Sequence, residues 1–175
     1  MLDQEFLVKA IRAATEEVFA TMLGAGVDLD DDAKCDPESG LMALVGLTGS
    51  WSGAGTLSCT PALANRIAAD MFMSEPAEDP TAINDEVLDA VAEMTNMVVG
   101  NIKNALEQEV GTMGISIPSV IYGRNFHFKS LTGKLIATVA FRWQAEPLEI
   151  KIVLAPSSDH EGSTRLRGAV MALSC

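Results

Sequence analysis

Apolar residues recur along this chain in two periods, one typical of helices and the other of strands. In the first stretch with the helical period, the apolar positions are Leu7, Ile11, Ala14 and Val18, at steps of four, three and four. Such steps place side chains on one face of a helix. We expect an amphipathic helix from about Asp3 to Met22, with Gly24 and Gly26 as stop signals beyond it.

Two further helices are indicated by their start signals. Thr60 is a favoured N-cap and is followed by Pro61, which suits the first turn of a helix. The longest helical pattern begins at Asn84, whose amide can cap, and ends near Gly111. The chain therefore carries three helical segments, of which the third is the best signalled.

The remaining apolar stretches have the composition and turn boundaries of strands. "LMALVGLTG" and "WSGAGTLSCT" are separated by a Gly-Ser turn and predict a hairpin after the first helix. "ISIPSVIYG", "NFHFKSL", "KLIATVAFRWQ" and "LEIKIVLAP" follow the third helix, with a tight turn expected at Gly133. We predict an α+β fold with a mixed or antiparallel sheet.

Two segments show neither the helical nor the strand period. "DLDDDAKCDPESG" is interpreted as a polar loop. Residues 157–175 have no clear pattern, so we divide the chain into a domain at 1–156 and a C-terminal tail or short docking segment.

Composition narrows the function classes. With 175 residues, of which 48% are hydrophobic, the chain can bury the core of one domain. Its formal charge of -12 argues against nucleic acid as a partner. No apolar run approaches the roughly 20 residues of a membrane span, and the N-terminus does not resemble a signal peptide, so we expect a cytoplasmic protein. Cys35, Cys59 and Cys175 have no metal or disulfide spacing and are interpreted as reduced thiols.

Metal-binding patterns are incomplete. Asp28, Asp30 and Asp32 alternate as in a calcium loop, but Ala33 and Ser39 stand where that loop requires Gly and Glu. His127 and His160 lack ligand spacing. We expect no metal site in this chain.

The third helix has one polar face. Its apolar side is formed by Leu88, Val91, Thr95, Val98, Ile102 and Leu106. On the opposite side Asp89, Glu93, Asn96, Gly100 and Asn104 follow at steps of four, three, four and four. The spacing alone favours a solvated face over a functional one.

Gly100 is the unusual member of that face. A glycine inside a helix costs up to about 1 kcal/mol relative to alanine, so close approach by another chain is a reason worth proposing. Met97 flanks the same face and can contact a partner.

The stretch "DAVAEMTNMVVGNIKNAL" resembles the signature of the CheC, CheX and FliY family of bacterial chemotaxis phosphatases. The match lies at Asp89, Glu93 and Asn96, with Pro118 as the downstream proline. "EEVFATMLG", "GLTGSWSGAGTLSCTPALA" and "ISIPSVIYG" extend the resemblance to CheX over roughly residues 3–155.

The resemblance implies a β-sheet flanked by long helices and removal of the phosphoryl group from a phosphorylated CheY-like response regulator. It implies that Glu93 binds a lysine of the regulator and that Asn96 holds the attacking water. The Mg²⁺ of the reaction would belong to the regulator. The remaining positions assigned to partner binding are Asp89, Met97, Gly100 and Asn104.

CheC-type members carry a second motif in the first helix. Here Glu16 and Glu17 are followed by Phe19 and Ala20, with no Asn. A single site is therefore predicted, which resembles the CheX branch and implies a homodimer. The alternatives are a non-catalytic scaffold that docks a regulator or flagellar switch component, and a purely structural oligomerising module.

Overall fold

The computed structural model describes residues 2–33, 35, 40–123 and 134–157. Within them the chain forms three helices and a seven-stranded sheet. In chain order these are α1 (Gln4–Leu23), β1 (Asp28–Leu29), β2 (Gly40–Gly49), β3 (Trp51–Cys59), α2 (Pro61–Phe72), α3 (Asp85–Val110), β4 (Met113–Ile115), β5 (Ser119–Gly123), β6 (Leu135–Trp143) and β7 (Glu146–Pro156). The predicted α+β class is confirmed.

All three predicted helix starts are confirmed by N-cap hydrogen bonds, in which a side-chain oxygen accepts from a backbone N–H of the first turn. The pairs are Asp3 with Phe6 at 2.8 Å, Thr60 with Leu63 at 3.1 Å, and Asn84 with Val87 at 2.9 Å. At the other end of α1, Gly24 takes the left-handed conformation with φ 64°. Local sequence therefore sets the ends of these helices.

The sheet is antiparallel throughout, in the order β1-β6-β7-β3-β2-β4, with β5 also paired to β2. The predicted hairpin is formed by β2 and β3, joined at Gly49 and Ser50. A second hairpin joins β6 to β7, and β7 lies beside β3. The two hairpins make the centre of the sheet.

The predicted run "ISIPSVIYG" is interrupted rather than continuous. Leu47 pairs with Ile115 and Leu44 with Ser119, so three steps along β2 face four steps on the partner segment. One extra residue is accommodated beside Pro118, as in a β-bulge. Ser116 bridges the gap, since its N–H donates to the Gly46 carbonyl at 2.9 Å.

The apolar faces of the three helices and alternate residues of the sheet form one core. Phe19 of α1 meets Trp143 of β6 edge to face, with ring centroids 5.7 Å apart. Below α3 the sheet carries Gly55, where an added Cβ would stand 2.6 Å from a Val99 methyl group and 2.9 Å from Ile152 Cδ1. The absence of a side chain at Gly55 lets α3 lie close against the sheet.

The polar-loop interpretation of residues 28–40 was wrong at its start, because Asp28 and Leu29 pair with β6 as strand β1. Arg142 supplies the reason, since its Nε donates to Asp30 Oδ2 at 2.7 Å beside this pairing. That hydrogen bond holds the pKa of Asp30 below its usual value. The Asp30 carboxylate thus forms an ion pair with Arg142.

The tight turn between β6 and β7 has no sequence signal. Gln144 and Ala145 both have positive φ, 48° and 70°, although neither is Gly or Asn. Arg66 Nη1 donates to the Gln144 carbonyl at 3.0 Å, and Arg142 Nη1 donates to that of Ala145 at 2.9 Å. Arg66, which is distant in sequence, and Arg142, at the end of β6, therefore stabilise this turn.

Several predicted features lie outside the described residues: the turn at Gly133, the strand "NFHFKSL", His127, His160 and Cys175. The tail after 157 does too, so the domain division stays a prediction. Ser157 itself joins the fold, since its N–H donates to the Ser50 carbonyl at 2.9 Å.

Cys35 and Cys59 are free thiols. Burial raises the pKa of Cys35 to about 12 and raises that of Cys59 further. Both thiols therefore stay protonated and poorly reactive at neutral pH. Among the described residues, no helix has the length and apolar character needed to cross a membrane.

Glu107 joins the end of α3 to the start of β4. Its carboxylate accepts from the Met113 N–H at 2.8 Å and from Lys103 Nζ at 2.9 Å. These two donors hold the pKa of Glu107 below its usual value, with the backbone N–H as the larger cause.

Glu107→Gln should lower the urea midpoint of unfolding at pH 7, because it removes the charge that strengthens both hydrogen bonds. A carboxylate with a depressed pKa in the folded state stabilises above the unfolded pKa, and that stability is lost as the pH falls through the folded pKa. The gap from wild type should therefore narrow as the pH falls below the reference value of 4.5. Lys103→Met, which keeps the backbone bond, should cost less. A gap independent of pH would contradict this role.

Candidate functional site

The buried side of α3 is the predicted one. Val91, Thr95, Val98, Ile102 and Leu106 are fully buried, and Leu88 is half-buried. Thr95 satisfies its hydroxyl within the helix by donating to the Val91 carbonyl at 2.7 Å. This face fixes the rotation of α3 about its axis.

The opposite side of α3 carries the predicted polar row. Asp89, Glu93 and Asn104 are exposed, and Asn96 and Gly100 are half-buried. Because residues four and three apart lie on one face of a helix, Glu93 and Asn96 project side by side. The structure thus brings the sequence-predicted site residues together on one outward face.

The Glu93 carboxylate and the Asn96 amide are uncommitted. Within the described part of the chain, neither has a hydrogen bond or a salt bridge. Other polar side chains of the same helix are hydrogen-bonded. Lys103 donates to Glu107, and Asn101 Nδ2 donates to Glu17 of α1 at 3.3 Å. The pair at Glu93 and Asn96 is therefore available to an external partner.

Gly100 has no packing role that the described structure reveals. A Cβ added there would meet nothing within 4 Å, whereas one added at Gly55 would clash. The backbone does not require glycine either, since Gly100 is not among the residues with positive φ. A helix-interior glycine costs about 1 kcal/mol relative to alanine, and nothing described inside the chain accounts for it.

Met97 lies beside this face and is half-buried, packed in part against the core. It can therefore offer only part of its thioether side chain to a partner.

The first helix offers no second amide at the position considered for it. Phe19 is fully buried in the core, and Ala20 is exposed. Glu17 is already an acceptor for Asn101. Sequence reasoning missed this link between α1 and α3, because no local pattern indicates a contact 84 residues apart.

A described cleft lies away from Glu93 and Asn96. A cleft of about 440 Å³ lies beside α2, lined among others by Asn65, Arg66, Asp70, Glu78 and Gln144, and it does not include this face of α3. Among the described residues, no three His, Cys, Asp or Glu side chains are grouped so as to hold a metal ion. On this outward helix face, the Glu93 carboxylate can pair with a cation and the Asn96 amide can orient a water molecule.

Comparison with solved structures shows the fold. The chain is similar to the chemotaxis protein CheX from Vibrio vulnificus, with 24% identity over 85% of this chain and 96% of that chain and a TM-score of 0.72. A CheX-CheY-BeF3-Mg²⁺ complex from Borrelia burgdorferi matches with 21% identity over 85% and 97% of the chains and a TM-score of 0.69. FliY from Thermotoga maritima matches with 19% identity over 87% and 92% and a TM-score of 0.62.

A family model, but no single curated sequence, supports the same assignment as the fold. No curated protein matches this chain. The family model described as chemotaxis phosphatase CheX matches residues 41–142, from β2 to β6, and includes the whole of α3. Because this match spans more than half of the chain, the protein belongs to the CheX family of chemotaxis phosphatases, and CheX and CheC-like proteins are among the structures similar to it.

Proposed function

We propose that this protein dephosphorylates a phosphorylated CheY-like response regulator in chemotaxis or a related two-component pathway. The observation that carries the proposal is the uncommitted pair of Glu93 and Asn96 on the outward face of α3, in a chain of the CheX family. In this proposal Asn96 positions the attacking water and Glu93 docks a lysine of the regulator.

The role of Asn96 follows from the chemistry of an aspartyl phosphate. Water attacks phosphorus, the bond from phosphorus to the carboxylate oxygen breaks, and inorganic phosphate leaves while the regulator's carboxylate is restored. The carboxylate is already a good leaving group, so the catalyst has to supply mainly a positioned nucleophile. A neutral amide can hold water there without repelling the phosphoryl oxygens, which a carboxylate would do.

Glu93 has a different role because its partner is a cation. A carboxylate that pairs with a lysine of the regulator sets the register of docking and contributes to affinity. The net charge of -12 favours approach of a basic surface in general, whereas the pair at Glu93 specifies one position.

The other residues of the face surround this pair. Asp89 lies one turn before Glu93, and Gly100 and Asn104 follow Asn96 at successive turns, with Met97 at the side. We assign these four positions to contact with the regulator.

The similar structure from Borrelia burgdorferi is a complex of CheX with CheY, BeF3 and Mg²⁺, which supports a CheY-type partner. We propose that the Mg²⁺ belongs to the regulator and that this chain binds no catalytic metal. The proposed role also implies a cytoplasmic protein, because it requires access to a response regulator.

We further propose a homodimer, as the resemblance to CheX implies. The edge formed by β4 and β5 supports it, because Ile117, Ile121 and Tyr122 are exposed there and exposed apolar side chains favour burial against another surface.

Phosphate release from a phosphorylated receiver domain, measured with and without this protein, tests the function directly. Faster release in its presence supports a phosphatase. Binding of the phosphorylated domain with no change in release would favour the non-catalytic scaffold.

Asn96→Ala should lower the saturated dephosphorylation rate by about 10²-fold or more, the scale expected when a group that acts only in the transition state is lost. Binding to a regulator loaded with BeF3 and Mg²⁺, which cannot turn over, should stay nearly unchanged. Gln108→Ala, on the same helix and outside the proposed site, is the control and should match wild type. Turnover by Asn96→Ala at the wild-type rate would refute the role of this amide.

Glu93→Lys should weaken binding of the BeF3-loaded regulator by roughly 2 to 5 kcal/mol, because a like-charge contact replaces an ion pair. Glu75→Lys makes the same change in net charge in the loop after α2 and should have little effect. Placing Glu at the partner lysine should restore part of the affinity of Glu93→Lys. If the swapped charges show no coupling, the two residues do not form a pair.

Metal analysis of the purified, chelator-washed protein should find no stoichiometric zinc or manganese, because no set of ligands is grouped among the described residues. Its activity should depend on Mg²⁺ only through the regulator's own affinity for that ion. A tightly held stoichiometric metal would overturn this part of the proposal.

A further inference from the structure

We infer that Gly100 sets how closely the backbone of α3 can approach the regulator, and thereby how far the Asn96 amide enters the phosphorylation site. Gly100 is then a positioning residue that acts through Asn96. The inference rests on the proposed function and adds to it a reason for this glycine.

The length of the Asn96 side chain creates the need for clearance. Its amide is attached through a single methylene group, so it reaches a short distance beyond the helix surface, whereas Glu93 has two methylene groups. A phosphoryl group bound within another protein can be reached by this amide only if the two backbones come close. Gly100 lies four residues on, about 6 Å along the helix axis and about 40° around it, so a side chain there would stand beside the amide.

The surroundings of Gly100 leave this space open. A Cβ at Gly100 would have no neighbour within 4 Å. Lys103, three residues on and long enough to lean over the glycine, is held by Glu107 at 2.9 Å, and Asn101 is held by Glu17 of α1 at 3.3 Å. These two polar side chains near Gly100 are therefore engaged elsewhere.

Gly55, which lies in the sheet under α3, provides a comparison with Gly100. Gly55 is required because Val99 and Ile152 would clash with a Cβ there. No described neighbour would clash with a Cβ at Gly100. We therefore infer that the regulator is what requires glycine at this position.

A graded series at this position tests the inference. Gly100→Ala should raise the thermal midpoint by about 2 to 4 °C, since alanine favours the helix and meets no neighbour. It should lower kcat by about 10-fold while affinity for the BeF3-loaded regulator falls less, because a small retreat of the amide misplaces the water. Gly100→Leu should lower kcat by 10²-fold or more and also weaken binding. Gln108→Leu is the control and should leave both values unchanged.

The outcomes separate this inference from the function itself. If Gly100→Ala is stabilised and turns over at the wild-type rate, clearance is not needed and the inference is wrong, while a loss of activity in Asn96→Ala would still support the phosphatase. If neither Asn96→Ala nor Gly100→Ala affects turnover, the proposed function fails and the inference fails with it. Should Gly100→Leu not fold, the alanine variant decides.

Discussion

Close packing of α3 on the sheet is the constraint on which the rest of this structure depends. The helix lies over Gly55, where there is no room for a Cβ beneath Val99. With Val91, Val98 and Ile102 also fully buried, α3 cannot rotate about its axis without exposing apolar surface. The orientation of every side chain on its outer face follows from this contact.

That fixed rotation explains how an ordinary helix can present a specific site. Glu93 and Asn96 project outward without partners in the described chain, while Lys103 and Asn101 on the same helix are engaged by Glu107 and Glu17. Gly100 adds an open notch beside them. The combination of a rigid support and uncommitted polar groups suits catalysis by positioning, in which little reorganisation remains when the partner binds.

Much of this arrangement could be predicted from sequence because it depends on local rules. The caps Asp3, Thr60 and Asn84 set the helix starts, and helical periodicity identified both faces of α3. The short strand at Asp28 and the turn at Gln144 and Ala145 could not be predicted, because the contacts of Arg142 with Asp30 and of Arg66 with Gln144 form only on folding. For the site, periodicity selected the residues and the family resemblance suggested their roles. Only the structure revealed that Glu93 and Asn96 lack partners in the described chain and that the space at Gly100 is open.

The central claim is that the outward face of α3 meets the phosphorylation site of the regulator. A crystal structure of this protein bound to a CheY-like regulator loaded with BeF3 and Mg²⁺ tests it most directly. The account predicts the Asn96 amide within about 3 Å of a water molecule in line with beryllium, with the regulator's backbone against Gly100. A complex in which this face of α3 stays in solvent, and the regulator binds elsewhere on the protein, would contradict the account.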